Sequence, residues 1–245
     1  MLISLTFLFA GSLLAAGSAA DAGPWYQQAQ VAFQEKRDRE AVEWLSRGIN
    51  LEQKEGGGDS ASVSEKASAA LFQWGEVRWR ETTQELEAKG LLRKNQHPRF
   101  FFEELLKRYP QSALADDVAL LLLEDGFCYE WSEDPACPAF EIRQYETFLK
   151  SYPFSDRRAH VLLEMARRYR ALSESYSEGA PWHNLARAEL CGDMAQALWQ
   201  ELRDSYPGAP EAEEASKRLD AIPPEQRPAI PIPPGIFSSL PEGQD

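Results

Sequence analysis

Three segments of the chain run into a Tyr-Pro pair, at Pro110, Pro153 and Pro207, and the apolar residues around these pairs recur at the same distances. An aromatic residue stands eight positions before each proline, Leu or Phe five before, Val or Ala eight after, and Leu or Met twelve after. Spacings of three and four residues place side chains on one face of a helix, so each segment predicts a helix, a corner at the proline and a second helix. The predicted core positions are Phe102, Leu105, Val118 and Leu122 in the first unit, Tyr145, Phe148, Val161 and Met165 in the second, and Trp199, Leu202, Ala215 and Leu219 in the third.

The repetition of this unit predicts an all-α fold, and more specifically an α-solenoid of helical hairpins in which each hairpin packs on its neighbours. The repeat domain is expected to cover residues 21–221. Ahead of the three units, residues 23–51 predict a further hairpin, and a capping box at Ser62 and Glu65 predicts the start of a long helix that ends near Gly90. A glycine run predicts a flexible linker over residues 55–61.

Local signals also predict where the later helices begin. His97-Pro98 predicts the start of the first Tyr-Pro helix, because proline is tolerated in a first turn. Ser112 and Ser155, each two residues after its proline, are expected to be N-caps. In the third unit Pro210-Glu211 is expected to fill the first turn with proline and an acid.

Both ends of the chain differ in composition from this helical domain. Residues 1–20 hold an apolar run followed by small residues, which is typical of a cleaved secretory signal, so a periplasmic or secreted location is expected. No Cys stands just after the apolar run, so we expect no lipobox. No other stretch approaches the ~20 apolar residues of a transmembrane span, so we expect no stable membrane insertion after cleavage. Residues 222–245 contain seven prolines, and this Pro-rich segment predicts an extended, polyproline-like C-terminal tail.

The charge balance narrows the range of partners. The chain carries 39 acidic and 26 basic residues, a net charge of −13. Binding to nucleic acid rests on clustered Lys and Arg that neutralise phosphates, so we expect no nucleic-acid partner. The densest basic cluster, Arg167-Arg168 with Arg170, is interpreted as the solvated face of a helix.

The motifs of the common catalytic and cofactor sites are missing from the sequence. It contains no HExxH, no GxSxG, no GxxxxGK[ST] and no GxGxxG after a strand-like segment. Zinc sites need two paired ligand elements at close spacing, whereas His97, His160 and His183 are isolated from the cysteines and from each other. We therefore expect no enzyme activity, no cofactor and no metal.

Two of the three cysteines lie close together. Cys128 and Cys137 flank a predicted loop, whereas Cys191 lies in a helical stretch. In an oxidising compartment a Cys128–Cys137 bridge would close this loop and stabilise the fold by ~2–3 kcal/mol. The alternative is three free, buried thiols, and the sequence leaves both interpretations open.

Trp131 and Trp182 are the candidate contact residues for a partner. Both lie in or beside segments that lengthen the helical units, residues 132–138 and 174–182. An aromatic side chain in such a loop has less core to join, which favours a surface role.

The pattern Tyr-x-x-Phe-Leu-x-x-Tyr-Pro-x-Ser at residues 145–155 resembles the tetratricopeptide repeat. The closest resemblance is to the repeat variant of bacterial cell-envelope proteins such as the outer-membrane assembly lipoprotein and TolA-binding periplasmic proteins. It covers residues 97–220, and more weakly residues 25–49. The resemblance implies a concave, helix-lined groove that holds a peptide or another protein.

These expectations lead to one functional hypothesis and one alternative. The hypothesis is a non-enzymatic periplasmic scaffold that binds a protein or peptide of the cell envelope during its assembly or maintenance. The alternative is an exported enzyme, built on a helical solenoid, that acts on peptidoglycan. Such enzymes add a separate catalytic domain around an acidic residue, and the predicted repeats leave no residues for one.

Overall fold

The computed structural model of the protein describes residues 24–54, 60–91, 97–128, 131 and 134–222. Every regular element within them is an α-helix, which confirms the all-α fold. The predicted signal at 1–20, the glycines of the linker and the tail from residue 223 lie outside the described residues. In chain order the helices are α1 (Pro24–Gln34), α2 (Asp38–Lys54), α3 (Ser60–Ala88), α4 (Phe100–Arg108), α5 (Ala115–Asp125), α6 (Ala136–Ser151), α7 (Arg158–Ser175), α8 (Leu185–Ser205) and α9 (Pro210–Asp220).

The chain forms two compact units, residues 1–74 and 75–245, with the boundary inside α3. In the first unit α1 and α2 pack together as the predicted hairpin. The two helices approach closely at Gly48, where a Cβ atom would overlap the indole of Trp25. Glycine is therefore needed at this position because of packing.

In the second compact unit, residues 75–245, the helices pack mainly on their neighbours in the chain, and the core residues are the ones that the Tyr-Pro spacing predicts. All twelve positions predicted from the Tyr-Pro spacing are buried, and Phe102, Tyr145 and Trp199 are each 5% exposed or less. The tyrosine of each Tyr-Pro pair is half-buried and caps its helix through a backbone N–H. The three bonds are Tyr109 N to Leu105 O (2.7 Å), Tyr152 N to Phe148 O (2.8 Å) and Tyr206 N to Leu202 O (3.0 Å).

The starts of α5, α7 and α9, the helices that follow the three Tyr-Pro pairs, are only partly as predicted. Ser112 and Ser155 do not cap helices, because α5 and α7 begin three residues after each serine. Their hydroxyls instead accept the backbone N–H of Leu114 (3.1 Å) and Arg157 (3.0 Å) and so fix the turn that precedes each helix. Pro210 occupies the first turn of α9, with acids behind it, as predicted.

Helices α3 and α4 also begin at residues other than those predicted. The capping box at Ser62 is wrong, because α3 already includes Ser60 and places Ser62 inside its first turn. The end near Gly90 is confirmed, since Gly90 adopts a left-handed conformation (φ +64°) just after the helix. Helix α4 begins at Phe100 rather than at His97, whose ring is engaged elsewhere.

A matched pair of glycine substitutions tests the packing of α3 on α4. A Cβ atom on Gly75 would come within 2.6 Å of the Phe102 ring, so we expect Gly75→Ala to lower the free energy of unfolding by about 1 kcal/mol or more despite the better helix propensity of alanine. Gly192, inside α8, has only Ser173 Oγ nearby, at 3.4 Å. Gly192→Ala is therefore expected to raise the free energy of unfolding by up to ~1 kcal/mol. Thermal melts of both variants check this, and equal stabilisation by both would show that Phe102 does not pack against α3.

Candidate functional site

Arg168, in α7, carries a buried guanidinium group whose side chain is 5% exposed. Its Nε donates to Glu141 Oε2 at 2.7 Å, and its Nη1 donates to Glu164 Oε2 at 2.6 Å. The prediction of a solvated basic face holds for Arg167 and Arg170, which are exposed, but is wrong for Arg168. The reason is that Arg168 has carboxylate partners inside the protein.

Three aromatic rings surround this guanidinium. The ring centroids of Phe127, Trp131 and Tyr145 lie 5.0, 4.7 and 4.8 Å from its central carbon, within the range of cation–π attraction. Burial alone would lower the pKa of Arg168, but Tyr145 and the two carboxylates outweigh burial and raise the pKa. The group therefore stays charged in the interior.

Glu141, the main partner of Arg168, is fully buried. Its Oε1 accepts the backbone N–H of Cys128 at 2.7 Å, and its Oε2 accepts both the indole N–H of Trp131 at 3.0 Å and Arg168 Nε. Each carboxylate oxygen thus has a donor, which is the condition under which a buried ion pair is tolerated. Two of the three donors come from the segment between α5 and α6.

A disulfide closes this segment. Cys128 is bonded to Cys137, with Cα atoms 6.3 Å apart. Of the two interpretations of the sequence, the structure therefore has the bridged one. Cys191 is a free thiol, buried in α8, and burial raises its pKa to about 11. A thiol with such a pKa is protonated at neutral pH and a poor nucleophile.

Cys128, Cys137 and Glu141 are also the residues that come together with metal-ligand chemistry in the described part of the chain. In this arrangement their ligand atoms are engaged, because the sulfurs are joined and the carboxylate accepts three hydrogen bonds. A metal ion at this position would have to displace those bonds. In the observed state this cluster therefore stabilises the fold.

A second polar cluster links α5 to α6 and α7. Glu124 Oε1 accepts the phenol of Tyr145 at 2.7 Å and the Nε2–H of His160 at 2.9 Å. Burial alone would lower the pKa of His160, but the hydrogen bond to Glu124 and the charges of Glu124, Glu164 and Glu211 outweigh burial and raise the pKa. The carboxylates around His160 therefore favour its protonated form.

An open groove of about 320 Å³ runs along the C-terminal half of α3. Five of its residues follow the i, i+3, i+4, i+7, i+8 spacing of one helix face, and α4 and α5 supply one residue each. The residues that line this α3–α5 groove are Glu76, Trp79, Arg80, Thr83, Gln84, Phe102 and Leu121.

The groove has a preformed aromatic floor. The indole of Trp79 stacks on the ring of His97, with centroids 3.9 Å apart, and meets Phe102 edge to face at 5.9 Å. His97 is held in turn by a 2.7 Å hydrogen bond from its Nδ1 to Asp125 Oδ1. Trp79 is therefore fixed in position by contacts within the protein.

Glu76 gives the groove a carboxylate that no described residue binds directly. Its half-buried carboxylate forms no hydrogen bond or ion pair with any residue that the structure describes. Burial raises the pKa of Glu76, and the charge of Arg80, one turn further along α3, opposes that rise. A partly desolvated carboxylate of this kind favours a cationic ligand.

The surface of α2 also has a charged concavity, but its acidic side chains are already paired. The acidic residues that line this concavity have ion-pair partners: Glu40 pairs with Arg37, which lies just before α2, and Glu43 pairs with Arg47 at 3.7 Å. Trp44 also donates its indole N–H to Glu40 at 3.4 Å. We therefore take the α3–α5 groove as the candidate binding site.

The two candidate contact tryptophans lie in different environments. Trp131 is half-buried, and its ring and N–H are engaged with Arg168 and Glu141. Trp182 lies in the loop before α8 and is 52% exposed, so it stays a candidate contact residue. Sequence analysis missed Trp79, and it also missed Phe154, which follows Pro153 and is 98% exposed.

No family model, curated protein or solved structure matches this chain. The resemblance to the tetratricopeptide repeat therefore rests on the Tyr-Pro spacing alone. Within the described residues, no helix combines the length and the apolarity needed to cross a bilayer.

Thiol counting tests the disulfide. Exported protein, denatured without reductant, is expected to show one reactive thiol, Cys191, and a Cys191→Ala control is expected to show none. Reducing the Cys128–Cys137 bridge is expected to lower the free energy of unfolding by ~2–3 kcal/mol, because it releases a short closed loop in the unfolded chain. Three reactive thiols in unreduced protein would contradict the pairing.

An NMR titration tests the cluster around His160. Because the folded pKa of His160 is raised above its unfolded value, its contribution to stability is fully present below about pH 6.5 and is lost as pH rises through the folded pKa. Glu124→Gln removes the main charge partner and is expected to lower the pKa of His160. Glu103→Gln, on the exposed surface of α4, is the control and is expected to leave that pKa unchanged. A His160 pKa at or below the ordinary value in the wild type would contradict the geometry.

Proposed function

We propose that this protein is a non-enzymatic scaffold of the bacterial cell envelope that holds another protein or a peptide. One observation carries the proposal: the α3–α5 groove is open, has an aromatic floor and presents the Glu76 carboxylate without a hydrogen-bond or ion-pair partner among the described residues. An apolar surface with a few placed polar groups is the usual composition of a binding site.

The finer fold that accompanies this proposal is an α-solenoid of tetratricopeptide-like hairpins. Its support is that three units bury the same positions around their Tyr-Pro corners and that consecutive helices pack on each other. In such a repeat array each unit contacts its neighbours, which leaves an extended surface for binding. The Pro-rich tail at 222–245 would be a further segment open to a partner.

The proposed location is the periplasm or the exterior. It follows from the apolar segment at residues 1–20 and is supported by the pairing of Cys128 with Cys137, because disulfides persist in oxidising compartments. A reducing cytoplasm would remove the bridge that closes the segment beside Arg168.

An affinity pull-down from an envelope fraction tests the proposed function. The full chain is expected to recover a specific protein, and Thr83→Arg, which fills the groove with a long side chain, is expected to lose it. Glu43→Arg on α2 is the matched control and is expected to recover the partner as the wild type does. Circular dichroism confirms that each variant is folded.

Two results would contradict the scaffold. One is recovery of no specific protein under conditions that preserve a known envelope complex. The other is muramidase activity of the purified protein that disappears when a single acidic residue is changed, which would favour the peptidoglycan-acting enzyme.

A further inference from the structure

We propose that the α3–α5 groove binds an arginine side chain presented by an extended segment of the partner protein. Glu76 supplies the counter-charge and Trp79 the stacking surface. This inference rests on the proposed function and specifies the chemistry of the partner.

The protein already contains one arginine site of this chemistry. Arg168 is held by the Glu141 carboxylate and lies against the rings of Phe127, Trp131 and Tyr145. The α3–α5 groove combines the same kinds of group: the Glu76 carboxylate and the Trp79 indole line it, and the buried ring of Phe102 packs against the indole. In the groove the carboxylate has no ion-pair partner among the described residues.

The groove is arranged to prefer arginine over lysine. A guanidinium is planar, stacks on aromatic rings and offers two parallel N–H groups to a carboxylate, whereas an ammonium is a compact, strongly hydrated charge. His97 covers one face of Trp79 and so fixes the indole before a ligand arrives. A site that is already ordered loses less conformational entropy on binding.

The dimensions of the groove and the charge of the chain favour a short extended segment. The α3 face from Glu76 to Gln84 spans about 12 Å at 1.5 Å per residue, which is the length of three or four residues of extended chain. The net charge of −13 attracts a basic partner over longer distances. Arg80 on the rim competes for Glu76, so its removal should favour the ligand.

Binding of short peptides to the full chain tests the proposal. The probes are acetyl-Pro-Ala-Arg-Ala-Pro-amide and the same peptide with lysine or citrulline in place of arginine, followed by calorimetry and by the NMR signals of the Trp indole N–H groups. The arginine peptide is expected to bind about fivefold more tightly than the citrulline peptide, the effect of one partly exposed ion pair. Glu76→Gln is expected to abolish this difference, Arg80→Gln to strengthen binding, and the Glu43→Gln control on α2 to leave it unchanged.

Several outcomes would overturn the proposal. Equal affinity for the citrulline or lysine peptide would remove the arginine specificity, and unchanged affinity in Glu76→Gln would place the ligand elsewhere. Binding that appears only after Arg227→Gln would assign the groove to the chain's own tail. If Glu76→Gln still recovers the partner in the pull-down, the scaffold proposal holds and the arginine site is wrong. If the arginine peptide binds but the pull-down recovers no partner, the arginine site holds and the scaffold proposal is wrong.

Discussion

The packing of the compact unit at residues 75–245 depends on burying the ion pair of Arg168 and Glu141 without leaving either charge unpaired. Moving an ion out of water costs several kcal/mol, and removing one partner of a buried pair typically costs ~3–5 kcal/mol. The structure offsets this cost with donors from Cys128 and Trp131, both in the segment that the disulfide closes. Since Glu141 lies in α6 and Arg168 in α7, the pair holds these two helices of the second Tyr-Pro unit in one register.

The helical core was predictable because its information is local. A period of 3.6 residues around each Tyr-Pro pair is enough to place Phe102, Tyr145 and Trp199 in the interior, whatever the size of the aromatic ring. The burial of Arg168 has no such local signal, since its neighbour Arg167 is exposed. It depends on Glu141, 27 residues earlier, and on a loop whose course no periodic pattern describes.

The α3–α5 groove was missed for a related reason. Its α3 residues have helical spacing, but Glu, Arg, Thr and Gln among them look like a solvated face. One signal was available. A glycine inside a helix costs about 1 kcal/mol relative to alanine, so Gly75 points to a close approach of another element. That element is α4, whose Phe102 ring lies within 2.6 Å of a Cβ atom built on Gly75 and meets Trp79 edge to face at 5.9 Å.

The Arg168 site and the α3–α5 groove both combine a carboxylate with aromatic rings, but the Arg168 site is buried and the groove is open. This difference determines whether a ligand can enter. At Arg168 the segment closed by the disulfide covers the ion pair, so Arg168 cannot be replaced by a ligand without leaving the buried charge of Glu141 unpaired. At Glu76 the carboxylate is half exposed, so a ligand displaces water rather than an internal partner. An exposed ion pair contributes ~0–1 kcal/mol and a cation–π contact at an exposed site ~0.5–1 kcal/mol, so one arginine binds weakly on its own. A scaffold that uses this groove therefore needs further contacts along the partner for affinity, while the arginine determines where the partner docks.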